Sequence, residues 1–186
     1  VAVVFGPSVG AVTTPPLHPA LGPLAFLLGE WAGTGAGSYP TDIRDFRYHE
    51  EVRFWHGGKP VLLYTQRTVD LDDGAPLHAE MGFWRPQPDD RVEVVISHPT
   101  GHAEVSAGSV VDGRVELATT AVTATGTAKE VTAVERTFTV AGDAELIRIG
   151  LQRRLEGSTA GNVEDEPRHA CPRLRDPLRR CHRQPP

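Results

Sequence analysis

The sequence predicts an all-β protein, an up-and-down antiparallel β-barrel of about ten strands. Between residues 43 and 149, short runs rich in β-branched and aromatic residues follow one another. Each separator carries the Gly, Pro or Asp that tight turns favour, and long crossover connections are nearly absent. Short antiparallel connections favour a barrel over a sandwich, and a barrel of about ten strands has room for one small ligand.

A short helix is predicted ahead of the strands, in PPLHPALGPLAFLLGEW, residues 15–31. The first strand follows it and surrounds Trp31 with Gly29, Gly33 and Gly35. Glycine inside a strand marks a bend, a bulge or a close approach of the backbone. We therefore expect Trp31 to plug one end of the barrel while the glycines let the strand curve over it.

The remaining strands are predicted from alternation and turn signals. FRYHEEVRFWH, residues 46–56, alternates between a largely apolar face and a polar one. The first face carries Phe46, Tyr48, Glu50, Val52 and Phe54, and the second carries Arg47, His49, Glu51 and Arg53. Asp112 and Gly113 separate two further runs, which is a strong hairpin signal. The other predicted strands are VLLYTQRTVDL, LHAEMGFWRP, RVEVVISHP, HAEVSAGSVV, RVELATTAV, KEVTAVERTFTV and AELIRIGLQ.

Composition excludes several classes of partner. The chain has 186 residues, a net charge of -5 and a pI near 5.9, so we expect no attraction to nucleic acid or anionic membranes. No apolar run approaches the roughly 20 residues of a membrane span, and the apolar start lacks the basic region of a secretory signal. The expected location is the cytoplasm. Cys171 and Cys181 lie near the end of the chain and predict neither a disulfide framework nor a zinc site.

Histidines and acids do not form a recognisable catalytic motif in the sequence. His98 and His102 flank a predicted turn, but two histidines make an incomplete metal site, and no well-spaced carboxylate was expected to join them. Phosphate-binding, dinucleotide-binding and nucleophile-elbow motifs are absent from the sequence, which disfavours hydrolases and nucleotide-dependent enzymes. Solvent-facing positions are the expectation for two strand histidines, His49 and His56, and His78 is expected to open a strand. The strand carboxylates Glu50, Glu51, Glu80 and Glu104 are also expected to face outward.

Several blocks of the sequence, in order, resemble the nitrobindin family of small haem-binding β-barrels, which are related in shape to calycins and fatty-acid-binding proteins. The family signature Gly-x-Trp-x-Gly-x-Gly is met by Gly29, Trp31, Gly33 and Gly35. Later blocks that carry the resemblance are FRYHEEVRFWHGGKPVLLYTQRT, PLHAEMGFWRP, VEVVISHPTGHAEVSAG and TAKEVTAVERTFTV. The similarity extends from about residue 17 to about residue 145.

The resemblance implies a barrel that holds haem b at one open end, with one histidine as the iron ligand. It also implies nitric oxide binding and the isomerisation of peroxynitrite to nitrate. Thr41 and Lys129 match family positions near the haem, where a hydroxyl and an ammonium suit the propionates. Ordinary turn and strand-end roles are the alternative for these two residues.

The expected iron ligand is missing from the position that the resemblance gives it. That position is near residue 161, and Gly161 stands there within EGSTAGNVEDEP. His169 is the nearest substitute, but it lies late in the chain and between Pro167 and Pro172, which a central strand does not tolerate. No metal ligand is therefore assigned.

Composition changes at the same place. Residues 148–186 hold nine arginines, no lysine and no aromatic residue, which predicts a disordered basic tail. Such a segment is typical of a shifted reading frame in a GC-rich gene, and resequencing around codon 145 tests this hypothesis. A genuine nucleic-acid-binding tail is the alternative. The predicted organisation is an N-terminal tail at 1–16, a barrel at 17–150 and a divergent tail at 151–186.

Three functions follow from these expectations. The first is a nitrobindin-like barrel that lacks histidine ligation of iron and hence the family chemistry. The second is a haem b-dependent peroxynitrite isomerase with a substitute ligand such as His169. The third is a carrier of a lipid or another small apolar ligand. The expected partner is haem, nitric oxide or peroxynitrite, together with a second copy pairing along an edge left by the missing last strand.

Overall fold

The computed structural model describes residues 15–37, 45–128, 131–141, 146–154 and 171–172. It shows one antiparallel sheet in which ten strands follow one another in chain order. The strands are β1 (Gly29–Gly37), β2 (Phe46–His56), β3 (Leu62–Asp70), β4 (Pro76–Gln87), β5 (Arg91–Ser97), β6 (His102–Val111), β7 (Arg114–Ala124), β8 (Ala133–Ala141), β9 (Leu146–Arg154) and β10 (Cys171–Pro172). Because β10 lies beside β1, the sheet curls round until its edge strands meet. The predicted up-and-down barrel is confirmed.

Strand positions agree closely with the alternation in the sequence. β2 and β6 have the predicted bounds, and the hairpin between β6 and β7 turns at Asp112 and Gly113 as predicted. Both turn residues have positive φ, 49° and 73°, which the tight two-residue hairpin requires.

The last two strands extend beyond residue 150, the predicted end of the barrel. β9 continues to Arg154, and Cys171 and Pro172 pair with Ile147 and Leu146. Pro172 fits there because β10 is a two-residue strand, so the missing proline N–H interrupts no long ladder. The remaining residues of the predicted tail lie outside the described part of the chain.

A 3₁₀ helix (Pro19–Leu27) precedes β1 where a short helix was predicted. Its leucines at 21, 24 and 27 are fully buried and join the barrel core. Trp31 is also buried, and its indole Nε1 donates a hydrogen bond to the Leu27 carbonyl at 2.8 Å. Trp31 and the helix together therefore fill this end of the barrel, as predicted for the tryptophan; we call it the closed end.

Aromatic side chains pack next to the closed end. Phe54 and Tyr64 have ring centroids 4.9 Å apart, and Trp84 packs edge-on against Phe138 at the same separation. Such edge-to-face contacts suit the charge distribution of aromatic rings. The core is thus apolar toward the closed end.

In the described part of the chain, no helix has the length and apolarity needed to cross a membrane.

Candidate functional site

The end of the barrel opposite the helix carries the histidines. His78 lies near the start of β4, His98 directly follows β5, and His102 begins β6. Because the strands run up and down, the end of β1 at Gly37 and the end of β7 at Ala124 lie at the same end. We call it the histidine end.

Glu80 is the centre of a polar network between the histidine end and the aromatic core. It is buried, and its Oε1 accepts a hydrogen bond from the Tyr64 hydroxyl at 2.8 Å. Its Oε2 accepts one from Arg136 Nη2 at 3.0 Å and lies 3.0 Å from His78 Nε2. Glu80 therefore joins three strands across the barrel interior.

Arg136 holds a second carboxylate in the same interior. Its Nη1 donates to Glu104 Oε2 at 2.7 Å and its Nη2 to Glu104 Oε1 at 2.6 Å. The two parallel bonds form the bidentate pair that is the strongest arrangement for guanidinium and carboxylate. The side chains of Arg136 and Glu104 are almost completely buried, so water does not screen the pair.

The Tyr64 hydroxyl links Glu80 to a third carboxylate. It lies 2.5 Å from Gln66 Oε1, and the Gln66 amide donates to Glu50 Oε1. Glu50 Oε2 is buried, yet no described residue gives it a hydrogen bond. The network therefore extends from Arg136 to an incompletely satisfied carboxylate beside β3.

His98 is held from one side only. Its Nε2 lies 2.6 Å from Glu104 Oε1, which fixes the ring, while its Nδ1 is buried, has no hydrogen-bond partner among the described residues and lies 3.6 Å from Glu80 Oε2. The ring of His78 packs nearby, with its centroid 5.4 Å from that of His98. At the same end, His102 Nδ1 lies 3.1 Å from Thr100 Oγ1.

Burial and charge together determine the protonation states of this network. Burial raises the pKa of Glu50 to about 7, and the nearby charge of Glu80 adds to the rise. Burial alone would also raise the pKa of Glu80 and Glu104. Arg136 and the histidines that contact these carboxyls outweigh that effect and hold both pKa values below the ordinary range. Two interior carboxylates are thus ionised beside one guanidinium.

The structure corrects the expectations for the carboxylates. Glu50, Glu80 and Glu104 were expected to face solvent, but all three are buried and point into the barrel. The expectation that no carboxylate would join the turn histidines was also wrong, because Glu104 and Glu80 both contact His98. The physical reason is that each carboxylate finds partners inside the barrel: Arg136 bonds both Glu80 and Glu104, and the Gln66 amide bonds Glu50.

Alternation contained a signal for the residues that sequence reasoning missed. Arg136 lies between Val134 and Phe138 at a spacing of two, and both of these neighbours are buried. Tyr64 and Gln66 alternate in the same way along β3. A charged residue in phase with an apolar face was the available indication of an interior network.

The predicted cofactor-binding residues are only in part within the described structure. Gly29, Trp31, Gly33 and Gly35 form most of β1, with Trp31 in the core. Thr41, Lys129, Gly161 and His169 lie outside the described residues.

Two cavities adjoin the network. The smaller one, at the histidine end, has a volume of about 10 Å³, which suits one water molecule. It is lined by His98, His102, Glu104, Val122, Val131 and Val134.

The larger cavity has a volume of about 620 Å³, and its lining includes Trp31, Val52, Gln66, Glu80 and His98. A volume of this size is typical of cavities that hold small organic ligands. Since His98 lines both cavities, a porphyrin at the histidine end could extend into the larger one.

Comparison with known proteins identifies the family. Residues 20–159 match the family described as "THAP4-like, heme-binding beta-barrel domain". Peroxynitrite isomerase 2 of Mycobacterium marinum is 52% identical over 131 residues, covering 68% of this chain and 81% of that protein. A relative in Arabidopsis thaliana, "Peroxynitrite isomerase Rv2717c", is 56% identical over 96 residues; these cover 52% of this chain, and the chain spans 57% of that relative's length.

A solved structure has the same fold. The crystal structure of Rv2717c from M. tuberculosis superimposes with a TM-score of 0.74 at 40% sequence identity, covering 86% of this chain and all of the other. The family match covers most of the chain and includes β1 to β9. This chain belongs to the THAP4-like haem-binding β-barrel family, the nitrobindin family.

Proposed function

We propose that this chain binds haem across the histidine end of the barrel and isomerises peroxynitrite to nitrate. Family membership supports haem binding, and the names of the relatives support the reaction. The observation that carries the proposal is the gathering of His78, His98 and His102 at the end where β1 and β7 stop. The chain connections that contain Thr41 and Lys129 begin at these two strand ends.

Residues of this chain have separate roles in the proposal. The Thr41 hydroxyl and the Lys129 ammonium would hold the two propionates, as the resemblance implies. Bound haem would supply an iron with an open coordination position, the chemistry that a buried porphyrin brings to a protein. Val122 and Val134 would keep water from the reacting anion, because they line the apolar side of the cavity at this end.

The imidazole of His102 would hold the reacting anion by a hydrogen bond. His98 packs beside it, with ring centroids 6.3 Å apart, and is fixed by Glu104, whose Oε1 lies 2.6 Å from His98 Nε2. His102 is oriented by the Thr100 hydroxyl at 3.1 Å. Isomerisation adds and removes no atom: the O–O bond of peroxynitrite breaks and a third N–O bond forms, so the protein's part is to hold the anion in place while the haem would supply the chemistry.

A competing proposal concerns the iron ligand. Gly161 stands where the resemblance expects the axial histidine, which favours a barrel that has lost ligation by histidine and therefore the family reaction. His169 is the candidate substitute in the sequence. Cys171 comes two residues after His169 in the sequence. It pairs with Ile147, which lies near the start of β9 and so near the closed end. Ligation is therefore the step that an experiment should address first.

Titration of the full chain with ferric haem, followed in the Soret region, tests the proposal. A histidine-ligated spectrum that His169→Ala loses, and that His182→Ala keeps, would support a haem enzyme with His169 as ligand. The haem-loaded protein should then accelerate the decay of peroxynitrite to nitrate in stopped-flow measurements. Weak haem binding that is identical in all three proteins would instead support the barrel without histidine ligation.

A further inference from the structure

We propose a second, non-haem site beneath the histidine end: a divalent transition-metal site formed by His78 Nε2, Glu80 Oε2 and His98 Nδ1. These three donor atoms lie within 4.8 Å of one another. Two imidazoles and one carboxylate are a donor set that zinc and similar ions use when one coordination position stays open. The proposal is independent of haem, because none of its ligands needs a porphyrin.

Distances between the donor atoms fit a small ion. Glu80 Oε2 lies 3.0 Å from His78 Nε2 and 3.6 Å from His98 Nδ1. Bonds of about 2.0–2.1 Å to a tetrahedral ion separate neighbouring donor atoms by roughly 3.4 Å. The two observed separations lie on either side of this value, so small shifts of the side chains would complete the site.

Glu104 prepares His98 as a ligand. An ionised carboxylate accepts hydrogen bonds and cannot donate them. The 2.6 Å contact between Glu104 Oε1 and His98 Nε2 therefore places a proton on that nitrogen. In a neutral ring the lone pair then lies on Nδ1, which is buried and has no hydrogen-bond partner within the part of the chain that the structure describes. Metal-binding histidines characteristically donate their other N–H to a carboxylate in this way.

The lone pair of His98 and the Glu80 carboxylate repel each other unless a positive species lies between them. Both are acceptors, they are 3.6 Å apart, and both side chains are almost completely buried. A metal ion satisfies both acceptors, and a second proton on His98 would do so too. The charge balance favours the ion. Among the described interior residues, the two carboxylates of Glu80 and Glu104 bond one guanidinium, that of Arg136, which leaves an excess of negative charge.

Access to the site is through His78. Its side chain is 22% exposed, whereas those of Glu80 and His98 are 0% and 4% exposed. An ion can therefore enter from the histidine end, and its fourth coordination position would face that end. Arg136 remains bonded to Glu80 Oε2, which has a second lone pair for the ion.

Zinc titration of the untagged full chain tests the proposal. The chain would carry Cys171→Ser and Cys181→Ser, because thiols in the C-terminal segment also bind zinc, and would first be stripped with a chelator. We expect one equivalent of Zn²⁺ by calorimetry, and a Co²⁺ spectrum of a nitrogen- and oxygen-ligated site. His78→Ala should weaken binding by at least tenfold, whereas His49→Ala, on the outer face of β2, should leave binding unchanged.

Glu104→Gln tests the orientation of His98 separately. It should keep the one-to-one stoichiometry but weaken zinc binding by about ten- to hundredfold, the usual effect of removing such a partner. The proposal is overturned by a parent chain that takes up no zinc, or by His78→Ala binding as tightly as the parent. It is also overturned if nitrogen-15 spectra of the metal-free and zinc-treated chain both show His98 protonated on both nitrogens.

Discussion

Arg136 on β8 spans the barrel interior to Glu104 on β6 and makes two hydrogen bonds of 2.7 and 2.6 Å with its carboxylate. β7 separates the two strands in the sheet, so the pair forms through the interior and not along a ladder. Arg136 also bonds Glu80 on β4. One side chain thus bonds carboxylates from two other strands.

Removal of this guanidinium should strongly destabilise the barrel. Arg136→Met leaves Glu80 and Glu104 buried without their cation, and breaking a buried pair costs about 3–5 kcal/mol. Urea denaturation at pH 7 measures the change in the free energy of unfolding. Arg67→Met is the matched control, because Arg67 pairs with Glu51 on the exposed surface and such pairs contribute about 0–1 kcal/mol. Equal effects of the two substitutions would contradict the account.

Glu50 should make the folded barrel less stable as the pH rises. Its pKa is about 7 in the folded state against an ordinary value of 4.5, so the folded chain keeps a proton that the unfolded chain releases. Stability is therefore lost between about pH 4.5 and pH 7. Glu50→Gln cannot ionise, and its amide oxygen can still accept the hydrogen bond from Gln66.

The free energy of unfolding of Glu50→Gln should equal that of the parent chain near pH 4.5. At pH 8 it should be larger than the parent's by on the order of 2–3 kcal/mol. Thermal unfolding at several pH values measures the difference. Glu51→Gln is the control from the neighbouring, exposed position, and it should show no such gain above pH 7. A constant difference between Glu50→Gln and the parent at every pH would refute the assignment.

The sequence predicted the strands well but did not predict the interior site. Alternation and turn residues predicted the barrel, since a strand's period of two is local information that β2 and β6 carry in their own residues. The interior network depends on residues from different strands that meet only in the closed sheet. Glu80 and Arg136 are 56 residues apart, and neither position alone shows that the other neutralises it.

The burial of Trp31 could be predicted from the sequence, whereas the burial of His98 could not. Trp31 could be placed in the core because a large apolar side chain beside glycines has few other stable positions. His98 could not, because a histidine after a strand and before Pro99 is usually a turn residue at the surface. Its burial follows from the contact with Glu104, which lies on the next strand.

Phe138 should be a major contributor to the core. It is fully buried and packs against Trp84 with ring centroids 4.9 Å apart. Phe138→Ala should therefore lower the free energy of unfolding by about 3–5 kcal/mol, because it removes buried area and leaves a cavity. Chemical denaturation followed by tryptophan fluorescence measures the loss.

Phe83→Ala provides the matched control for Phe138. Phe83 lies on β4 with 53% of its surface exposed, so truncation removes little buried area. Its effect should stay within about 0.5 kcal/mol of the parent chain. A loss as large as that of Phe138→Ala would mean that another molecule or segment covers the outer face of β4.

The β6–β7 hairpin depends on a glycine with positive φ. Gly113 has φ 73° and follows Asp112 at 49°, and alanine in this left-handed region costs about 1–2 kcal/mol. Gly113→Ala should therefore lower the thermal midpoint, whereas Gly126→Ala, where an added Cβ meets nothing within 4 Å, should leave it unchanged or raise it slightly. Because the buried Val110 and Val115 form the second pair from the turn, a one-residue register shift would move one of them out of the core. Equal midpoints for the two variants would show that the turn does not determine this register.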